Sequence, residues 1–188
     1  MAILKVAQMG HPVLRRRADP VTAATLRSRD TGRLVANMIE TMREYEGVGL
    51  AAPQVHESIR LVVIASHRNP RYPKAPAIPL TVLVNPVVTP LPGPQIAWWE
   101  GCLSLPGLRG RVVRPSRVRV RALDRRGRPF SRIFGGFSAI VVQHETDHLD
   151  GLLYIDRMTD LKQLSYEHEY HVHWAPAEAA RARKGADA

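Results

Sequence analysis

The sequence predicts an α+β domain: mostly antiparallel strands packed around a central histidine-bearing helix, with an N-terminal and a C-terminal helix. Short apolar runs separated by Gly- and Pro-containing turns predict the strands. The clearest is Ser116–Leu123, where Val118, Val120 and Ala122 alternate with Arg117, Arg119 and Arg121, as on a strand with one buried face. Apolar residues at helical spacing predict the helices, most plainly Leu34, Val35, Met38, Ile39 and Met42.

After a short extended start, Asp30 is expected to cap a helix running to about Glu46, with Gly47 and Gly49 ending it. Arg60–Ala65 reads as a buried strand, and Arg68–Pro79, with four prolines, as a surface loop. Further strands are expected at Thr81–Asn85, Ile96–Trp99, Ser116–Leu123 and, after a turn over Asp124–Arg128, Phe130–Phe134. Gly135 and Gly136 break the chain before a short apolar helix from Phe137 to Asp150, terminated by Gly151. A last helix is expected from Asp160 to about Trp174. The organisation implied is one domain over residues 1–175 and a basic, frayed tail over 176–188.

Composition narrows the class. Hydrophobic residues make up 45% and charged residues 23% of the 188, which is ordinary for a globular chain and not for a disordered one. No apolar run is long enough to span a membrane, and the N-terminus lacks the order of features of a signal or transit peptide. A bacterial cytoplasmic location is the expectation. The net charge of +10 favours anionic partners, nucleic acid included, and fits a solvated arginine-rich surface equally well. With one cysteine no internal disulfide can form, so Cys102 is either a small buried apolar residue or a reactive or metal-binding thiol.

The segment His144-Glu145-Thr146-Asp147-His148 is an HExxH motif. Four residues are about one helical turn, so both imidazoles project from one face and can reach one divalent ion, with Glu145 beside it to take a proton from water. Two histidines leave a third protein ligand to be found. The residue where a metzincin would place a third His is Tyr154. Cys102, directly after an apolar strand, would complete a Cys/His/His set with one position open.

Three segments, GVGLAAPQ at 47–54, EGCLS at 100–104 and HETDH at 144–148, resemble the signature segments of peptide deformylases in order and approximate spacing. The ALDRRGRPF hairpin is also similar, and the likeness runs from the MGHPVLR start to about Leu164. The resemblance implies that Cys102, His144 and His148 bind one divalent ion, natively Fe²⁺ and replaceable by Zn²⁺, Ni²⁺ or Co²⁺. Glu145 would be the general base and then the acid, and Gln54 with the backbone N–H of Leu103 would stabilise the oxyanion. Val48, Gly101, Phe137, Ile140 and Val141 would line the pocket for the methionine side chain. The loop at Gly49 would pair with the substrate as an added strand, and Arg109 would contact the substrate backbone. Glu100 is expected to pair with Arg114 and brace the cysteine loop.

The implied reaction is hydrolysis of the formyl group from N-formylmethionyl nascent peptides, releasing formate, with the ribosome as a transient partner through the basic surface. Two other readings compete. An HExxH metallopeptidase would need a ligand other than Cys102 and leaves EGCLS and GVGLAAPQ unexplained. An inactive basic ribosome- or RNA-binding relative would have no use for Glu145, Gln54 and three intact ligands. His168, His171 and His173 have no counterpart in the resemblance, and are read as a surface cluster without a dedicated ion.

Overall fold

The computed structural model describes residues 2–69, 71–72 and 75–178. The element order is α1 (Ala23–Arg27), α2 (Arg29–Glu44), β1 (Gly49–Ala51), β2 (Leu61–Ser66), β3 (Ile78–Pro90), β4 (Gln95–Cys102), β5 (Leu105–Pro115), β6 (Arg117–Leu123), β7 (Pro129–Gly135), α3 (Phe137–Leu149), β8 (Leu164–Tyr166) and α4 (Glu167–Glu169). The helical path of α4 continues through the π-type turns Tyr170–Trp174 to residue 178. The fold is thus mixed α and β, with antiparallel sheets and a C-terminal helix.

Five strands form one antiparallel sheet in the order β1-β2-β3-β6-β7, and β4-β5-β8 form a second. Strand β2 explains the layering. Val62 and Ile64 join the core that α3 contributes to through Ala139, Val141 and Val142, whereas Leu61 and Val63 face Val35, Met38 and Met42 of α2. Successive side chains of a strand point to opposite faces, so a continuous run such as Leu-Val-Val-Ile fits a strand covered on both sides. Helix α3 packs against β1, β2, β3 and β7 on one side and against β5 of the smaller sheet on another.

Several boundaries differ from expectation for local reasons. The cap of α2 is Ser28, whose Oγ accepts from Thr31 N at 3.1 Å, and Asp30 sits in the first turn instead; the helix ends at Glu44. Strand β3 does not stop at Asn85. It bulges there, with Asn85 at φ 51°, and its side-chain amide clasps the backbone of Val21 at 2.8 and 2.9 Å before the strand resumes. Strand β5 was hidden by its own Pro and Gly residues. The helix expected from Asp160 to about Trp174 begins only at Glu167; before it come a capped turn at Leu161–Gln163 and then β8, whose Leu164, Ser165 and Tyr166 pair with Gly110, Arg109 and Leu108. Of the expected tail, residues 179–188 lie outside the described residues. Among the described residues no helix is long and apolar enough to cross a membrane.

Helix α3 must end abruptly, and Gly151 ends it. Its φ is +74°, Leu152 N donates to Asp147 O at 3.0 Å, and a Cβ at this position would lie 2.6 Å from Arg15 O. Gly151→Ala is expected to lower the unfolding free energy by roughly 1–2 kcal/mol from the left-handed backbone alone, and by more through the overlap. The midpoint of urea unfolding measures it, and an unchanged midpoint would refute the account.

Candidate active site

Three elements deliver the candidate site residues. Cys102 closes β4, where the pairing with β5 shifts register between Gly101 and Cys102 and turns the thiol inward. Helix α3 carries His144, Glu145 and His148, all buried. The 3₁₀ turn Ala52–Val55 after β1 carries Gln54, which is buried and fixed by its own backbone through Ala51 N to Oε1 at 2.9 Å.

The structure brings Cys102, His144 and His148 together, with one donor atom from each within 4.8 Å of the others. Cys102 Sγ lies 3.3 Å from His148 Nε2. Gln54 Nε2 donates toward Cys102 Sγ at 3.5 Å and to Ser104 Oγ at 3.2 Å, and Ser104 N reaches the same sulfur at 3.4 Å. Leu103 follows Cys102 directly in that turn. A soft thiol with two imidazoles is a donor set suited to Zn²⁺ or Fe²⁺.

The histidines are supported unequally. His144 donates from Nδ1 to Glu100 Oε2 at 2.7 Å, which leaves Nε2 to face the cluster. Glu100 is in turn held by Arg114 through Nε and, at 3.0 Å, Nη2. Arg114 Nη1 also reaches Asp147 Oδ2 at 2.8 Å, and Arg157 grips Asp147 from outside at 2.7 Å. His148 Nδ1 has no hydrogen-bond partner among the described residues. Burial holds His148 well below the usual imidazole range, so it is in the neutral form a metal requires. Burial tends to raise the Glu100 carboxyl, but the bonds from His144 and Arg114 outweigh it and keep the group low and ionised.

Glu145 stands apart from this network. Its Oε2 is buried without a partner, and burial pushes the carboxyl up to about 7. Its other oxygen lies against the Cα of Gly49, where any Cβ would overlap it. That is the physical reason for glycine at this position.

Beside the cluster is a small pocket lined by Val48, Tyr72, Trp98, Glu100, Gly101, Phe137, Ile140, Val141, His144 and Glu145. The structure therefore gathers Val48, Gly101, Phe137, Ile140 and Val141 around His144 and Glu145. Arg109 is placed elsewhere, fully buried behind Gly101. Its guanidinium is held by Glu167 at 2.6 and 2.9 Å and by Tyr72 Oη at 3.0 Å, beneath the ring of Tyr170. Tyr72, Asp147 and Arg157 were not foreseen. Tyr72 sits in a proline-rich loop that carries no periodicity, and Asp147 lies inside the HExxH motif as one of its variable residues. His168, His171 and His173 are exposed, and among the described residues no three-ligand cluster includes them.

A buried thiol and two imidazoles beside an unpartnered carboxylate and an apolar pocket define a metal-dependent hydrolase. The polypeptide deformylase family model matches residues 3–164. A peptide deformylase of Leptospira biflexa is 42% identical over 170 residues, covering 90% of this chain and 95% of that protein. Peptide deformylase 2 of Pseudomonas syringae pv. tomato is 47% identical over 165 residues, covering 87% and 92%. A solved class I type b peptide deformylase from Acinetobacter baumannii, with Met-Ala-Ser bound, superposes with a TM-score of 0.80 at 43% identity, covering 84% of this chain and 99% of that one. The chain belongs to the peptide deformylase family, whose known function is metal-dependent deformylation of nascent peptides. Neither a general HExxH peptidase nor an inactive RNA-binding relative is favoured.

The buried charges yield one stability test. Arg114→Met leaves Glu100 and Asp147 without their shared cation, and is expected to cost about 3–5 kcal/mol in denaturant unfolding. A loss below about 1 kcal/mol would show that the carboxylates find compensation elsewhere.

Proposed function

We propose that Cys102, His144 and His148 hold one divalent ion, natively Fe²⁺ and replaceable by Zn²⁺, Ni²⁺ or Co²⁺, and that Glu145 handles the protons of formyl hydrolysis. The observation that carries this reading is the buried, unpartnered Oε2 of Glu145 beside three converging donors. A carboxylate left without a partner in a protein interior is costly unless it has a task there. The bound ion would supply Lewis acidity toward the formyl oxygen and acidify water at the open position. Glu145 would take the proton of the attacking water and deliver it to the leaving amine of methionine. Gln54 Nε2, which lies against Cys102 Sγ, and the amide of Leu103 would donate to the developing oxyanion.

Val48, Gly101, Phe137, Ile140 and Val141 would hold the methionine side chain. Gly49 lies on β1, an edge of the larger sheet, so no other strand of that sheet takes its second edge and an extended peptide would pair there. The Met-Ala-Ser bound to the Acinetobacter relative is a peptide of the size this edge would take. Arg109, paired with Glu167 and Tyr72, would act from behind Gly101 to shape the rim. It could meet the substrate backbone only by exchanging those partners. In this reading residues 1–175 form the catalytic unit, 176–188 a basic tail, and the enzyme works in the bacterial cytoplasm, close to the ribosome.

Protein purified without oxygen and loaded separately with Fe²⁺, Ni²⁺ or Zn²⁺ should release formate from formyl-Met-Ala-Ser and lose that activity on chelation. Absence of turnover with every metal, in folded and metal-bound protein, would overturn the reading. Glu145→Ala should keep its metal and lose about 10²–10⁴-fold in kcat. Gln54→Ala should lose about 10²–10³-fold in kcat.

A further inference from the structure

One face of the larger sheet is covered only in part. Helix α2 covers that face over β1, β2 and β3 with Val35, Met38 and Met42, and its apolar cluster reaches β6 only at Leu123. Beyond it the outward positions of β6 are Arg117, Arg119 and Arg121, alternating with the buried Val118, Val120 and Ala122. Alternate residues on a strand stand about 7 Å apart, so three guanidinium groups line up over about 14 Å. Their cross-strand neighbours are uncharged: Gly135, Ile133 and Ser131 on β7, Thr89 and Val87 on β3.

The turn adds exposed Arg125, Arg126 and Arg128, whereas Arg132 on β7, opposite the buried Val120 and over the Phe134 ring at 5.2 Å, belongs to the other face. The hairpin's one acid, Asp124, is already engaged by Arg128 at 2.7 Å and by the amides of Arg126 and Arg128. Among the described residues no other ion pair involves these arginines. Six arginines and one aspartate between 117 and 128 carry five of the chain's ten net positive charges.

Like charges side by side on a strand face repel, and neutral outward residues would serve the fold at least as well. A row of uncompensated guanidinium forks instead matches an array of phosphates. A protein partner is a poorer fit, because Val87 and Ile133 are single apolar residues and not the apolar centre such interfaces are built on. We propose that the outward face of the β6–β7 hairpin docks on the phosphate backbone of structured RNA. The choice of RNA rests on the deformylase reading, since nascent chains are made beside RNA.

The test uses the intact metal-loaded protein and a fluorescein-labelled RNA hairpin, with binding read by anisotropy between about 50 and 200 mM salt. The variant R117Q/R119Q/R121Q should bind at least about 10-fold more weakly, with a salt slope smaller by about three. R117K/R119K/R121K keeps the charges and should keep most of the slope, which separates charge loss from misfolding. Both variants should melt like the parent and turn over formyl-Met-Ala-Ser at its rate. Unchanged RNA binding by the glutamine variant would overturn the proposal. So would an equal loss in R16Q/R29Q/R33Q, which removes the same charge elsewhere, or equally tight binding to a DNA duplex of the same sequence. RNA binding is read without turnover, so a parent protein that bound RNA but released no formate would fail the deformylase reading alone.

Discussion

One guanidinium holds two carboxylates at the centre of this protein. Arg114, on β5, binds Glu100 from the strand that ends in Cys102 and Asp147 from the helix that carries both histidines. The relative position of thiol and imidazoles, which come from different elements, is therefore set by a single buried cation. Glu100 passes the constraint on by accepting from His144 Nδ1 at 2.7 Å, which fixes which ring nitrogen turns toward the cluster. Networks of this kind are costly to desolvate and are justified only when every member is satisfied, as each is here.

Around that centre the layers do the ordinary work of excluding water. Helix α3 can be buried on several sides because the five-stranded sheet takes its Ala139, Val141 and Val142 face, while Tyr154, Leu153 and Val112 close the side toward the smaller sheet. Gly110 belongs to the same packing, since a Cβ there would strike Met158 Sδ and the Tyr154 ring at 2.6 Å. Glu145, alone among the buried acids, has no cation assigned to it. Its raised pKa and its orphaned oxygen are two expressions of one fact, that the fold leaves this carboxylate dry and free.

What could be read from the residues was what local chemistry expresses locally. The HExxH spacing puts two imidazoles on one helical face whatever surrounds the helix, and the Val/Arg alternation of β6 declares one buried face. Strand β5 was not legible, because Pro106, Gly107, Gly110 and Pro115 carry turn chemistry while long-range pairing with β4 makes the segment a strand. The same holds for Leu164–Tyr166, whose helical appearance yields to hydrogen bonds with residues more than fifty positions earlier. The Glu100–Arg114 pair was expected, but its third member, Asp147, was not, since nothing in the sequence says which side of α3 faces Arg114. Arg109 was singled out by position, but its partner was not legible, because the acid that holds it, Glu167, lies in a segment with no recognisable pattern.

The rim of the pocket is built on a different plan from its floor. Tyr72 lines the pocket and bonds to Arg109, Arg109 is held by Glu167, and the helix after Glu167 is clasped by Trp99, whose ring lies tilted against those of Tyr170 and Trp174 at 5.1 and 5.0 Å. Glu167, Tyr170 and Trp174 all follow the portion of the chain that carries the family resemblance. The rim thus depends on a segment that the floor does not use. A change in that segment would alter the mouth of the pocket without touching the donors or Glu145, so the choice of peptides and inhibitors admitted is physically separable from the chemistry.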